Sequence, residues 1–186
     1  MLIASSYALL APLTSSGTQP RALLSDDGRF EARAEVLADV SRMQLLGITV
    51  GHDVTHTRLI LDYMGRIAAM ASSDTASEAA ALAQGDLRRK DISIVHEQPL
   101  MADAVGGPKR TSVLRWGDGL SLRVKRMDDE EGGTWLQLRV FMDTSPGYVH
   151  PVLTDAGQLA CLVSGRTDQD AWARVQGELV RQGIEF

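Results

Sequence analysis

His52-Asp53-Val54-Thr55-His56 is the one stretch of the chain in which two histidines stand at a ligand-like spacing. On a helix, positions i and i+4 share a face, and Asp62 would add a carboxylate to the two imidazoles, a donor set that suits zinc. No Glu follows His52, so the zinc-protease helix motif is absent. His52 falls where the expected helix begins and reads as a surface residue, with His56 on the polar face. A metal-dependent enzyme built on His52 and His56 is therefore the third of three functional readings. His96 and His150 stand alone in the sequence.

Other reactive groups have weaker settings. Cys161 lies among Leu159, Ala160, Leu162 and Val163, which predicts a buried, inert thiol rather than a nucleophile. Gly106-Gly107-Pro108-Lys109 has the glycines and lysine of a phosphate loop but lacks the Lys-Ser/Thr pair and the strand–loop–helix frame. No Gly-x-Ser-x-Gly elbow or dinucleotide fingerprint occurs. Leu45–Thr57 spells helix, glycine, helix, with His52, Thr55, His56, Thr57 and Arg58 as donors to base edges. The segment Arg42–His56 is nevertheless too polar where the two helices of a helix-turn-helix would pack. The balance favours a chain that is not an enzyme and carries no cofactor.

The richest surface is a basic and aromatic strip. Between Lys109 and Arg126 there are six basic residues and one acidic residue, Asp118. With the strand register given below, Arg115, Ser121, Arg123, Lys125, Trp135, Gln137, Arg139 and Phe141 share the outward face. Trp and Arg are the usual anchors of protein interfaces. The leading reading is a non-catalytic binding module that engages a protein partner through Arg115, Arg123, Lys125, Trp135, Gln137, Arg139 and Phe141. The alternative is a nucleic-acid accessory protein, in which the same aromatics stack bases and the cations meet phosphates. A plainer expectation is that another element covers Trp135 and Phe141 while Arg and Lys serve solubility. Asp128-Asp129-Glu130-Glu131, beside the strip, reads as a solvated hairpin tip. It lacks the Asp/Asn alternation and central Gly of a calcium loop.

These residues need elements to hold them. Ser112–Trp116, Leu120–Arg126 and Thr134–Met142 alternate with period two and form a meander. Treating Gly117, Asp118 and Gly119 as a three-residue loop sets Trp116 opposite Leu120 and Leu114 opposite Leu122. The third strand then sets Leu136 against Val124, Leu138 against Leu122 and Val140 against Leu120. Ile92–Val95 is a short strand, and Val149–Val163 is a further ordered stretch. A closing helix spans about 169–182, with Trp172, Val175, Leu179 and Gln182 on its stripe. Trp116 and Trp172 should point inward, with Trp135 the most exposed of the three.

The first half reads as helical. From Arg29 to Leu46, Phe30, Ala34, Leu37, Ser41 and Gln44 or Leu45 keep a spacing of three or four, and in a second helix, roughly Val54 to Ala71, Ile60, Met64, Ile67 and Ala71 form a stripe. Asp53 or Thr55 would cap that second helix. Thr75-Ala76-Ser77-Glu78 has capping-box spacing for a third helix, with Gly85 as its stop. Met43, Met64 and Met70 read as gap fillers. No internal repeat is evident. Helices followed by a meander and a closing helix give an α+β fold, a single domain over 1–186 with a helical part about 21–90 and the meander and closing helix about 91–186.

Composition sets outer bounds. The chain has 186 residues, 44% hydrophobic and 23% charged, with a formal charge of −5. That is the mix of a globular domain and argues against a wholesale electrostatic grip on nucleic acid. One cysteine excludes an internal disulfide and fits a reducing compartment, so a cytoplasmic location is expected. Leu2–Leu13 is apolar, but the first basic residue is Arg21. It reads as a strand or short helix docked on the core rather than a signal peptide, followed by a Thr14–Pro20 linker. No membrane association is expected, and association with a second copy stays open.

Overall fold

Phe30, Ala32, Ala34 and Val36 alternate with Glu31, Arg33 and Glu35, and this period of two, not the helical spacing, governs the first half of the chain. The computed structural model describes residues 23–24, 29–52, 54–102, 114–116, 119–144 and 146–186. In it the expected helical half is an antiparallel meander of four long strands: β2 (Phe30–Asp39), β3 (Gln44–His52), β4 (Thr55–Asp62) and β5 (Ile67–Ser73). A short β1 (Leu23–Leu24) pairs with the start of β2, and β6 (Ile94–Pro99) pairs with the same edge further along. The α+β expectation with an N-terminal helical part is thus overturned. The chain is mostly strand, in two antiparallel sheets with two helices.

The first helix comes only after the first meander. In α1 (Ala76–Arg89) the Thr75 hydroxyl accepts the Glu78 backbone N–H at 3.2 Å, the cap that the Thr-x-x-Glu spacing predicts. The Glu78 carboxylate takes the Ser73 hydroxyl instead of reaching back to Thr75. Gly85 does not stop the helix, which continues to a cap at Lys90. Ala79, Ala83 and Leu87 are its buried residues, and Ala83 and Leu87 pack with Leu37, Leu45, Ile60 and Ala69. The first sheet therefore has one face under α1 and the other facing the second sheet.

The chain crosses between sheets at Leu100, which is buried and donates its N–H to the Ala34 carbonyl at 2.8 Å. The second sheet runs β7 (Met101–Ala102), β8 (Leu114–Trp116), β9 (Leu120–Asp128), β10 (Thr134–Met142), β11 (Tyr148–Thr154) and β12 (Leu159–Gly165), each paired with the next. Leu114 pairs with Leu122 and Trp116 with Leu120, as the three-residue loop predicts. Between β9 and β10 the register is displaced by two residues from the expected one: Val124 meets Leu138 and Leu122 meets Val140. A shift of two leaves every side chain on its expected face. Its cause is that Met127 and Asp128 join the strand, Met127 being buried under the last helix, so the loop is shorter. That helix, α2 (Asp168–Arg181), is capped by Thr167 and packs Ala171, Val175 and Leu179 inward.

The two sheets meet face to face. Phe30, Ala32, Ala34, Val36, Ile48 and Leu59 from the first share one core with Leu122, Leu136, Leu138, Val140 and Val149 from the second. The layers are helix, sheet, sheet, helix. Both halves follow one plan, a four-strand antiparallel meander and then a 14-residue helix with a threonine cap. The absence of a repeat in the sequence is thus not matched by the architecture. Among the described residues, no helix is long and apolar enough to cross a membrane. The apolar N-terminal run and the Thr14–Pro20 linker lie outside the described residues.

Gly65 and Gly132 separate two demands on a turn. Both have positive φ, +74 and +87 degrees, but a Cβ at Gly65 would lie 2.5 Å from Val149 Cγ2, whereas one at Gly132 meets nothing within 4 Å. Gly132→Ala should cost about 1 kcal/mol for the left-handed backbone alone. Gly65→Ala should cost roughly 2–4 kcal/mol, because overpacking against the second sheet is added. Urea denaturation of the two variants measures the difference.

Candidate functional site

The expected partner-binding face is the outer face of the second sheet, and α2 takes part of it. Val175 and Leu179 pack on Met127, Val152 and Cys161, toward the β11–β12 side. Arg123 and Lys125 on β9 remain exposed, and Phe141 and Tyr148 are half-buried with ring centroids 5.0 Å apart. Trp172 is directed toward the sheet as expected, but lies half-buried at the margin of the covered area. Lys125 Nζ is 5.7 Å and Arg139 Cζ 6.0 Å from its ring centroid. Cations over an indole face at this range are attracted by its quadrupole. The Arg115 backbone pairs with Ser121, while the side chains of Arg115 and Trp116 lie outside the described residues.

Two members of the expected strip have other duties. Gln137 is fully buried and has no surface to offer a partner. Its carboxamide sits 3.0 Å from His150 Nδ1, and His150 Nε2 is 2.9 Å from Asp168, the first residue of α2. With Gln137 donating to Nδ1, the ring proton sits on Nε2 and is donated to the carboxylate. Arg139 donates to the other Asp168 oxygen at 3.1 Å. The Asp–His pair resembles the orienting half of a general-base system, but His150 is wholly buried and both ring nitrogens are engaged. The network pins the start of α2 to β10 and β11. No signal in the sequence links His150 to Asp168.

Trp135 is half-buried rather than free. Its indole N–H donates to Asp129 at 2.9 Å, and its ring meets Phe186 edge-on at 6.3 Å. The indole bond, followed by backbone N–H groups of the turn, holds the Asp129 carboxyl below the usual range. The acidic run thus closes its own hairpin, with Asp129 gripping Trp135 and Asp128 paired to Arg126 at 2.7 Å.

The histidine pair does not converge. Residues 52 and 56 lie on the β3–β4 hairpin, where His52 pairs with Thr55 and His56 with Gly51, so alternation sends them to opposite faces. His52 stacks on Phe30 at 4.4 Å and contacts the Asp155 carbonyl, while His56 contacts the Asp74 carbonyl. Asp62 is at the far end of β4, bound to Arg66. Asp53, one of the two expected caps, lies outside the described residues. No cluster of three or more His, Cys, Asp or Glu suited to a metal occurs among the described residues. The same hairpin removes the helix-turn-helix reading of Leu45–Thr57. Cys161 is buried, and burial, with the Glu178 carboxylate adding to it, pushes its thiol up to about 11. The Gly106–Lys109 loop lies outside the described residues.

One charged cluster escaped the sequence reading altogether. Arg58 on β4 is 5% exposed, yet donates to Glu35 on β2 and to the Thr49 hydroxyl at 2.8 Å, with Glu97 of β6 at 3.6 Å. Gly47 makes the room, since a Cβ there would stand 2.8 Å from the guanidinium carbon. A buried cation with two carboxylates is a strand clamp. A glycine inside a strand was the only hint of it. No known protein-family model, curated protein or solved structure matches the chain.

The His150 network carries a pH dependence. Burial lowers the His150 pKa, the Asp168 carboxylate opposes this, and Arg139 adds to the lowering. The unfolded chain then binds the proton first as pH falls below about 6.5, so the fold loses stability from there down to the native pKa. Urea midpoints at pH 7.5 and 5.5 should show this loss for the native chain. His150→Gln should shrink the difference.

Proposed function

We propose that the chain is a non-catalytic binding module that engages an acidic protein partner through the uncovered part of the second sheet's outer face. The surface comprises Arg123 and Lys125, the half-exposed rings of Phe141, Tyr148 and Trp172, and Arg139 at its margin. The observation that carries the reading is the incomplete cover of α2. Arg123 and Lys125 are exposed beside three aromatic rings and have no carboxylate partner among the described residues. Rings of this kind supply contact area at small entropic cost, and unpaired cations supply steering toward an acidic patch. Trp135 contributes at the rim, since its indole N–H is already taken by Asp129. A buried free thiol suits a reducing compartment, and a cytoplasmic location follows from this reading.

The test uses the double variant Arg123→Glu with Lys125→Glu. A partner captured after nuclease treatment is identified, purified and titrated against both chains. The variant should bind about 30-fold more weakly, the size of a hot-spot loss of ~2 kcal/mol. Its unfolding should shift by less than about 0.5 kcal/mol, as surface changes do. Equal affinity with an intact fold would remove this face from the binding site. Tight binding of a 20-nucleotide oligothymidylate, collapsing with salt, would assign the face to nucleic acid instead.

A further inference from the structure

The two sheets part at the end where the β4–β5 and β10–β11 turns meet, leaving a cavity of about 280 Å³. Val36 and Leu46 of the first sheet and Leu120 and Met142 of the second give it apolar walls. One side is fixed by two contacts between the sheets. The Thr144 hydroxyl donates to the Tyr63 carbonyl at 2.6 Å, and Gly65 lets its turn lie against Val149 and Met142. A cavity of roughly 150 Å³ with such walls takes benzene, so this one has room for a ligand of about eight to ten carbons.

The mouth is polar and its charge is one-sided. Among the described lining residues, only Asp62 and Asp143 are charged. Asp62 is already used, accepting the backbone N–H groups of Met64 and Arg66 at 2.8 and 3.0 Å and the Arg66 guanidinium at 2.9 Å. The side chains of Asp143 and Gln44 are exposed and make no hydrogen bond or ion pair with the described residues. An uncompensated carboxylate at the rim of an apolar cavity attracts a cation and repels an acid. We propose that this cavity binds a small apolar amine, with its hydrocarbon part between the sheets, its ammonium group at Asp143, and the Gln44 carboxamide oxygen accepting beside it. This site is independent of the β9–β10 face and stands whether or not that face binds a protein.

The probes are octylammonium, 1-octanol and octanoate, titrated into the full chain with methyl-labelled methionine. The Met142 methyl signal, assigned through Met142→Leu, is the readout. Octylammonium should move it saturably, 1-octanol about fivefold more weakly, as befits one exposed ion pair, and octanoate least of all. Asp143→Asn should bring octylammonium down to the affinity of octanol and leave octanol unchanged. Leu120→Trp should fill the space and abolish both. Equal affinity for the three probes, no movement at Met142, or an ammonium preference that survives Asp143→Asn would overturn the proposal. If Leu120→Trp fails to fold, the Asp143→Asn comparison decides alone.

Discussion

Each of the two meanders has two faces to cover, and the rest of the molecule follows from how far each face is covered. The inner faces bury one another, and each outer face is roofed by a single 14-residue helix. A helix is about 10 Å wide, whereas neighbouring strands are spaced just under 5 Å apart, so one helix roofs about two strands. The remainder of each outer face must be polar and self-satisfied, or open to solvent. The first sheet takes the former course with Arg58, Glu35, Thr49 and Glu97. The second takes both. Gln137, His150, Asp168 and Arg139 are satisfied among themselves at the helix margin, and Arg123 and Lys125 are left in water.

Burial on both faces is also what hid the first meander in the sequence. A strand with one wet face alternates cleanly, but β4 buries Leu59, Ile60 and Leu61 in succession, and β2, which alternates from Phe30 to Val36, goes on to bury Leu37 and Asp39. Phe30, Ala34 and Leu37 then fall at a helical spacing by coincidence. The first of the meander's turns gives no warning either. Between β2 and β3 the left-handed position is held by Arg42, at φ 64 degrees, with the Asp39 carboxylate accepting the Ser41 hydroxyl and the Met43 N–H. No Asn-Gly or Asp-Gly pair marks that reversal. In the second half, β9 is open on its outer face and alternates plainly, Leu122, Val124 against Arg123, Lys125. There the strand assignment, the faces and the first hairpin's register were all legible.

The site was legible to the same degree. Alternation places Arg123, Lys125, Arg139 and Phe141 on one face, and the closing helix's stripe names Trp172. What alternation cannot supply is the line at which α2 stops covering that face. This line separates Gln137, fully buried, from Lys125, its exposed partner across the β9–β10 pair. It is set by Asp168, at the start of α2, reaching His150 and Arg139, a contact between segments far apart in sequence. The histidine pair is divided for the same local reason, since a hairpin sends to opposite faces residues that a helix would align.

The face-to-face packing of the sheets therefore decides which surfaces remain for function, and methyl–methyl nuclear Overhauser contacts test it directly. In a chain labelled at Ile, Leu and Val methyls, Val36, Leu46, Ile48 and Leu59 should show cross-peaks to Leu122, Leu136, Leu138 and Val140. Contacts confined within each meander, with none between these two sets, would contradict the sandwich and the assignment of outer faces built on it.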